Sequence, residues 1–265
     1  MHADCMSILL LSSVLVGVVA GMLTTISGFG GGILLLLAVT VLAGAKAALA
    51  ATSLALLAAN THRIWLYRRH VFGAIDGSET SPDKVSAMQA MRPVAVIVPL
   101  VAGLIPGGLC GSLVAASIPE AVIHIAMLVI VSLSLLRAWL GWIWQPDRRS
   151  LVLSGVVVGV LSGAAGGAGF LIGPVVLATG LTGRSYLATV AIGAVALHVA
   201  RLSGYGAGGM LSVEVLAMAA VLTPALVLGN LVGDRVRDAI PRPWQRTIEY
   251  GMPAVCLTLA LVGLG

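Results

Sequence analysis

A glycine-rich apolar stretch occurs twice in the chain. The first copy, GVVAGMLTTISGFGGGILLLL, covers residues 17–37, and the second, GVVVGVLSGAAGGAGFLIGPV, covers residues 155–175. The copies align at an offset of 138 positions, and the same offset pairs Arg63 with Arg201. Glycines inside an apolar run either break a helix or let another backbone approach closely. The repeat therefore predicts two similar halves, each with an interrupted helix.

The composition indicates an integral membrane protein. Hydrophobic residues make up 59% of the chain and charged residues only 9%, whereas soluble domains carry roughly 25% charged residues. The net charge of +5 is therefore expected to report membrane topology and not nucleic-acid binding. The three cysteines have no metal-ligand spacing. The sequence predicts no catalytic residue, no metal site and no cofactor.

The apolar runs predict the membrane segments. In chain order these are residues 7–26, 33–43, 47–66, 93–116, 121–144, 151–165, 170–181, 185–203, 211–232 and 247–264. We expect one transmembrane domain, with repeat one at 7–144, a linker at 145–150 and repeat two at 151–264. Because a membrane-crossing helix needs about 20 residues, residues 7–43 are too long for one straight span and short for two. A broken or re-entrant helix pair is therefore expected in each half.

Positive charges distinguish two topologies. Eight spans, with each glycine segment crossing once, would place basic loops on both sides of the membrane. Ten segments, with each glycine segment turning back, would invert the halves and leave only Lys46 opposite the other basic residues counted. Those residues are Arg68, Arg69, Lys84, Arg92, Arg148, Arg149, Arg184, Arg235, Arg237 and Arg242. The positive-inside rule favours the second arrangement. The predicted fold is an all-α polytopic membrane protein of 8–10 segments, with two repeats related by inverted topology.

The glycines serve two predicted purposes. The G-x3-G pairs, such as Gly17 with Gly21 and Gly229 with Gly233, are typical of close helix packing. The short clusters instead precede a short apolar helix, whose first N–H groups and dipole favour an anion. The expected binding residues there are Gly28, Phe29, Gly30, Gly31, Gly32, Gly166, Gly167, Ala168 and Gly169. Hydroxyl donors are expected from Thr24, Thr25, Ser27 and Ser162.

Two arginines lie within apolar runs at repeat-related places. Arg63 and Arg201 are suited to bidentate contact with a sulfonate or carboxylate, although Arg63 is close enough to a span end to extend to the interface. Asn60 and His198 each precede an arginine by three residues, on the same helix face. We assign all four to substrate binding.

Two titratable residues are candidates for proton coupling. These are His198 and Glu249. Their alternatives are a hydrogen-bonded histidine within the bundle and an ion-pair partner for Arg246. Asp234 and Asp238 are expected to lie in a solvated loop that begins at residue 234.

The doubled glycine motif resembles the TauE/SafE sulfite exporter family, also called the toluene-sulfonate uptake permease family. The family pattern is a G-x3-G run, a glycine cluster and then a proline in each half. The second half of this chain has the proline, Pro174, whereas the first half has Leu36 at the equivalent position. The second half has Ala168 at the position where the first half has Gly30. The resemblance implies a bacterial-type inner-membrane carrier of small anions such as sulfite, sulfonates or short carboxylates.

The function that we predict is secondary transport. The chain would export sulfite or organosulfonates similar to sulfoacetate across the cytoplasmic membrane by alternating access. Its partners would be the small anion and the lipid bilayer, with no nucleic acid, and assembly as a homodimer is left open. Transport of short carboxylates or other small anions, an intramembrane enzyme and a membrane scaffold remain alternatives.

Overall fold

A computed structural model describes residues 2–28, 30–72, 92–140, 146–237, 239–240 and 258. The regular secondary structure of this part of the chain is entirely helical. The helices are α1 (His2–Ser27), α2 (Gly31–Ala43), α3 (Ala45–Phe72), α4 (Pro93–Ser117), α5 (Glu120–Leu140), α6 (Arg148–Ala165), α7 (Ala168–Leu177), α8 (Gly183–Ala207) and α9 (Val213–Arg237). The predicted all-α fold is confirmed.

Four of the described helices are long and apolar enough to cross a membrane. These helices are α4, α6, α8 and α9. Large apolar side chains on them are exposed, including Leu153, Val157 and Val213. Such a surface is stable only against lipid or another apolar partner. Length, hydropathy and this outward apolar surface together make the chain a polytopic membrane protein.

The G-x3-G glycines allow two helix pairs to approach closely. A Cβ added to Gly155 of α6 would lie 3.0 Å from the Cα of Gly103 in α4. A Cβ added to Gly21 of α1 would lie 3.1 Å from the Cα of Gly229 in α9. Each added Cβ would also overlap a backbone oxygen, that of Leu100 for Gly155 and that of Leu226 for Gly21, so only hydrogen fits at these positions. The packing role predicted for these glycines is confirmed.

The helices of the two repeats pack in matching pairs. Helix α1 packs against α9 and α4 packs against α6, so each pair joins one helix from each repeat. Likewise α3 packs against α9 and α8 against α4, whereas α3 and α8 pack against each other. Each of these contacts made by a helix of one repeat therefore has an equivalent contact made by the matching helix of the other repeat. The repeats are therefore interlocked around the central helices α3 and α8.

The chain reverses its direction at the first glycine break. A Cβ added to Gly31 would overlap the carbonyl oxygen of Ala20 and the Oγ1 of Thr24. In a straight helix, the 11 residues from Ala20 to Gly31 would span about 16 Å. Helix α2 must therefore fold back along the last turns of α1.

Several predicted boundaries are wrong, and α3 for example continues to Phe72 instead of ending at residue 66. Helix α7 ends at Leu177, not at residue 181, and a turn follows at 178–180, where Gly180 has φ +83°. Helix α9 continues to Arg237, so Asp234 lies in its last turn and not in a loop. The predicted segment at 247–264 lies outside the described residues, apart from position 258.

Candidate anion-binding site

Each glycine break starts a short helix with a backbone that favours glycine. Gly28 and Gly30 have φ +84° and +94°, and Gly166 and Gly167 have φ +87° and +75°. Gly30 and Gly167 are the N-cap residues of α2 and α7, and glycine has no side chain that could accept a capping hydrogen bond. The first N–H groups of a helix have no intrahelical acceptor. Both starts therefore offer the backbone donors that an anion requires.

The two breaks lie beside each other. A Cβ added to Gly167 would lie 3.2 Å from the Cδ1 of Ile33, and one added to Gly166 would overlap the Cδ2 of Leu36. Because Ile33 and Leu36 belong to the first two turns of α2, the start of α2 adjoins the start of α7. The second glycine cluster thus lies against side chains from the first two turns of α2. Phe29 lies outside the described residues.

Arg63 of α3 is buried with one edge of its guanidinium open. Its side chain is 1% exposed, so it does not extend to the interface. Its Nη1 donates to Asn60 Oδ1 at 3.1 Å. Within the described structure, its Nε and Nη2 have no hydrogen-bond partner. These two groups point in the same direction from the planar guanidinium and form the fork that matches a carboxylate or sulfonate.

Arg201 of α8 is equally buried, at 2% exposure, but its corresponding edge is occupied. Its Nε and Nη2 both donate to the hydroxyl oxygen of Tyr205, at 3.2 and 3.1 Å. That hydroxyl in turn donates to the carbonyl oxygen of Gly163 at 2.7 Å. The two repeat-related arginines are therefore in different states, one with an open donor pair and one with the pair filled.

Tyr67 explains part of this difference. It follows Arg63 by four residues, as Tyr205 follows Arg201. Its hydroxyl interacts electrostatically with Arg63 but makes no hydrogen bond to the Nε and Nη2 of that arginine, and it donates to Asp234 Oδ1 at 2.8 Å. The expectation that Asp234 is a solvated loop residue is wrong, because this carboxylate is partly buried and bonds to a side chain of α3.

The comparison with known families decides what kind of protein carries this arrangement. The family model described as sulfite exporter TauE/SafE matches residues 13–261. The chain belongs to the TauE/SafE sulfite exporter family. No curated protein and no solved structure matches it. Membership in this transporter family, with the apolar helices, makes the chain a transmembrane transporter of a small anion.

The predicted hydroxyl donors of this TauE/SafE protein differ in their partners. Thr25 Oγ1 donates to Asn230 Oδ1 at 3.0 Å, and Thr24 and Ser27 donate to carbonyl oxygens of their own helix. By contrast, the buried Oγ of Ser162 has no hydrogen-bond partner in the described structure. Of these four hydroxyls, Ser162 is thus the one best able to donate to a ligand.

Two further predicted residues have different outcomes. His198 is buried, and its Nδ1 has no hydrogen-bond partner in the part of the chain that the structure describes. Its position one turn before Arg201 places it on the same face of α8. Glu249, the other candidate for proton coupling, lies outside the described residues.

Sequence reasoning did not assign a role to several residues of this site. Asn230 joins three helices, because it accepts from Thr25 and its Nδ2 donates to the carbonyl oxygen of Ala59 at 3.0 Å. A buried amide in an apolar run is a signal that could have identified it. The repeated Arg-x3-Tyr spacing could likewise have identified Tyr67 and Tyr205.

Proposed function

We propose that this TauE/SafE protein exports sulfite or an organosulfonate across the cytoplasmic membrane by alternating access. The anion binds where the two glycine breaks adjoin. The observation that carries the proposal is the open edge of Arg63, whose Nε and Nη2 are buried without a partner in the described structure. A planar fork of two N–H donors suits two oxygens of one oxyanion.

Burial gives the open arginine edge its affinity. A charge that is buried and not paired costs several kcal/mol, and a bound anion removes much of that cost. The first break lies nearby, because a Cβ on Gly28 would lie 2.5 Å from Tyr186 Cε1, and Tyr186 interacts electrostatically with Arg63. The start of α2 therefore adds backbone donors to the same region.

The paired packing of the repeats supports alternating access. Equivalent helices of the two repeats make equivalent contacts. Each half could therefore adopt the conformation of the other, as in carriers with inverted repeats. The reversal of the chain between α1 and α2 favours the ten-segment arrangement over eight spans. A reporter fused after Gly265 should then be active only outside the cytoplasm, whereas activity only in the cytoplasm would contradict this topology.

The direction of transport follows from charge. A membrane potential that is negative inside favours exit of an anion by about 2.3 kcal/mol per charge per 100 mV. Export therefore needs no coupled ion. Uptake against the same potential would need protons, and His198 and Glu249 are the candidates for carrying them.

Efflux from proteoliposomes tests the function. Vesicles loaded with radiolabelled sulfite, sulfoacetate or acetate should lose sulfite or sulfoacetate faster than protein-free vesicles. The Arg63→Gln variant should abolish this loss. The matched control is Ser53→Ala, which removes a buried hydroxyl that donates to the Leu49 carbonyl on the same helix. Loss of acetate alone would move the substrate to carboxylates, and equal retention of all three anions would refute the proposal.

A further inference from the structure

We propose that the Tyr205 hydroxyl is an internal occupant of the Arg201 anion position, and that Asp234 prevents Tyr67 from filling the Arg63 position in the same way. The transported anion and the two tyrosine hydroxyls would thus compete for the same guanidinium edges. This inference rests on the proposed transport function and identifies the residues that decide which arginine is open.

The geometry at Arg201 is that of an occupied anion site. One oxygen, the Tyr205 hydroxyl, accepts from both Nε and Nη2 at 3.2 and 3.1 Å. An oxygen of a sulfonate or sulfite would make the same two contacts. The hydroxyl proton is donated to Gly163, which lies three residues before Gly166 of the second break. Tyr205 therefore connects the filled arginine to the helix that leads into that break.

The first repeat also has an arginine followed four residues later by a tyrosine, but the hydrogen bonds of that tyrosine differ. Tyr67 has the same four-residue spacing from Arg63, and Thr25 occupies the position equivalent to Gly163. Tyr67 donates instead to the carboxylate of Asp234. A charged acceptor makes a stronger hydrogen bond than a backbone carbonyl, so Asp234 draws the hydroxyl away from Arg63.

The first repeat, whose helix α4 packs against α8, has no carboxylate at the position that corresponds to Asp234. At the offset of 122 that aligns Gly229 with Gly107, the equivalent of Asp234 is Ser112. The Ser112 hydroxyl donates to the Leu109 carbonyl at 2.9 Å. Tyr205 therefore meets no charged competitor there and bonds Arg201. Among the differences between the repeats, Asp234 against Ser112 is the one that gives Tyr67 a charged acceptor and Tyr205 none.

The open edge lies near the end of the molecule from which an exported anion would enter. Arg63 interacts electrostatically with Arg237, and Arg68 and Arg235 lie at the same ends of α3 and α9. The positive-inside rule assigns this basic end to the cytoplasm. The anion would meet Arg63 first, and the hydroxyls would cover the guanidinium groups when the carrier returns empty.

Binding of radiolabelled sulfite to the purified full-length protein tests the role of Asp234 as a positioning residue. The Asp234→Ala variant should bind sulfite about tenfold more weakly, because Tyr67 then fills the Arg63 edge with hydrogen bonds to a charged group. Adding Tyr67→Phe to that variant should restore the affinity to within about twofold of the wild-type protein. If the double variant stays as weak as Asp234→Ala, Asp234 has only a structural role and the inference is wrong.

Transport by Tyr205→Phe provides the second test. Net efflux of sulfite requires the empty carrier to return, whereas sulfite–sulfite exchange does not. Net efflux should fall about tenfold, the loss expected for hydrogen bonds to a charged group, and exchange should remain near the wild-type rate. Thr189→Val is the control, since it removes a buried hydroxyl of α8 that bonds the Ser185 carbonyl.

The outcomes separate the two proposals. If the wild-type protein neither binds nor transports any of the anions, the transport function itself fails. If the wild-type protein transports sulfite but Tyr205→Phe changes net efflux and exchange equally, or changes neither, only the tyrosine competition is refuted. Should Tyr205→Phe fail to fold, the Asp234 and Tyr67 variants decide the question.

Discussion

Two adjacent glycines at the start of α2 should respond differently to the same substitution. Gly31 lies against the backbone of α1, since an added methyl would overlap the Ala20 carbonyl oxygen. Gly32 faces the end of a side chain, since its methyl would lie 3.2 Å from the Cδ1 of Leu56. We predict that Gly31→Ala destabilises the protein, whereas Gly32→Ala leaves it folded and impairs transport.

The magnitudes follow from what each methyl meets. The backbone oxygen of Ala20 cannot move without moving its helix, and overpacking of this kind costs about 1–3 kcal/mol. The Leu56 side chain can rotate away, and the small strain is offset by up to about 1 kcal/mol of helix propensity gained by Gly→Ala. The methyl at position 32 nevertheless narrows access to the first N–H groups. Loss of one hydrogen bond to an anion is worth about 1.5–3 kcal/mol, or roughly 10- to 150-fold in affinity.

Thermal unfolding in detergent and sulfite efflux from proteoliposomes check this pair. Gly31→Ala should unfold at a lower temperature than the wild-type protein. Gly32→Ala should unfold near the wild-type temperature and bind sulfite at least about tenfold more weakly. Unimpaired binding and efflux by a folded Gly32→Ala variant would show that the start of α2 does not contact the anion. Equal stability of the two variants would refute the packing argument.

Three further outcomes are expected. Asn230→Leu should lower the free energy of unfolding by about 1–3 kcal/mol, because it leaves Thr25 and the Ala59 carbonyl without their partner; thermal unfolding measures this. Arg63→Lys keeps the charge but loses the fork, so sulfite affinity should fall about tenfold or more in a direct binding assay. Efflux of a monovalent anion should accelerate when a potassium gradient with valinomycin makes the vesicle interior negative. Coupling of one proton through His198 or Glu249 would remove that dependence.

The sequence predicts much of the fold because its strongest signals are local. Apolar runs and glycine clusters placed most ends of the described helices within about six residues, and the G-x3-G spacing identified glycines of close packing such as Gly155 and Gly21, although not the helices that they approach. The end of α7 was missed because four apolar or small residues after Leu177 continue the hydrophobic run, although Gly180 ends the helical backbone. The inverted relation of the repeats stays a prediction.

The candidate site was harder to predict because its contacts join distant positions. The bond between Tyr67 and Asp234 spans 167 residues, and the bond between Thr25 and Asn230 spans 205 residues. The sequence pairs Arg63 with Arg201 as equivalents, and each has a tyrosine four residues later. Only the packing of α9 against α3 brings Asp234 to one tyrosine and makes the two arginines different.

A neutral hydroxyl is well suited to hydrogen-bond the guanidinium of a substrate-binding arginine while the carrier is empty. A fixed carboxylate beside Arg63 would form a buried ion pair, and breaking such a pair costs about 3–5 kcal/mol. Hydrogen bonds from a charged group to a neutral acceptor contribute about 1.5–3 kcal/mol, so an anion can displace a tyrosine more easily. Asp234 accepts a hydrogen bond from the hydroxyl of Tyr67 and not from Arg63 itself. This placement leaves the guanidinium open without neutralising it, as a carrier that must bind and release an anion requires.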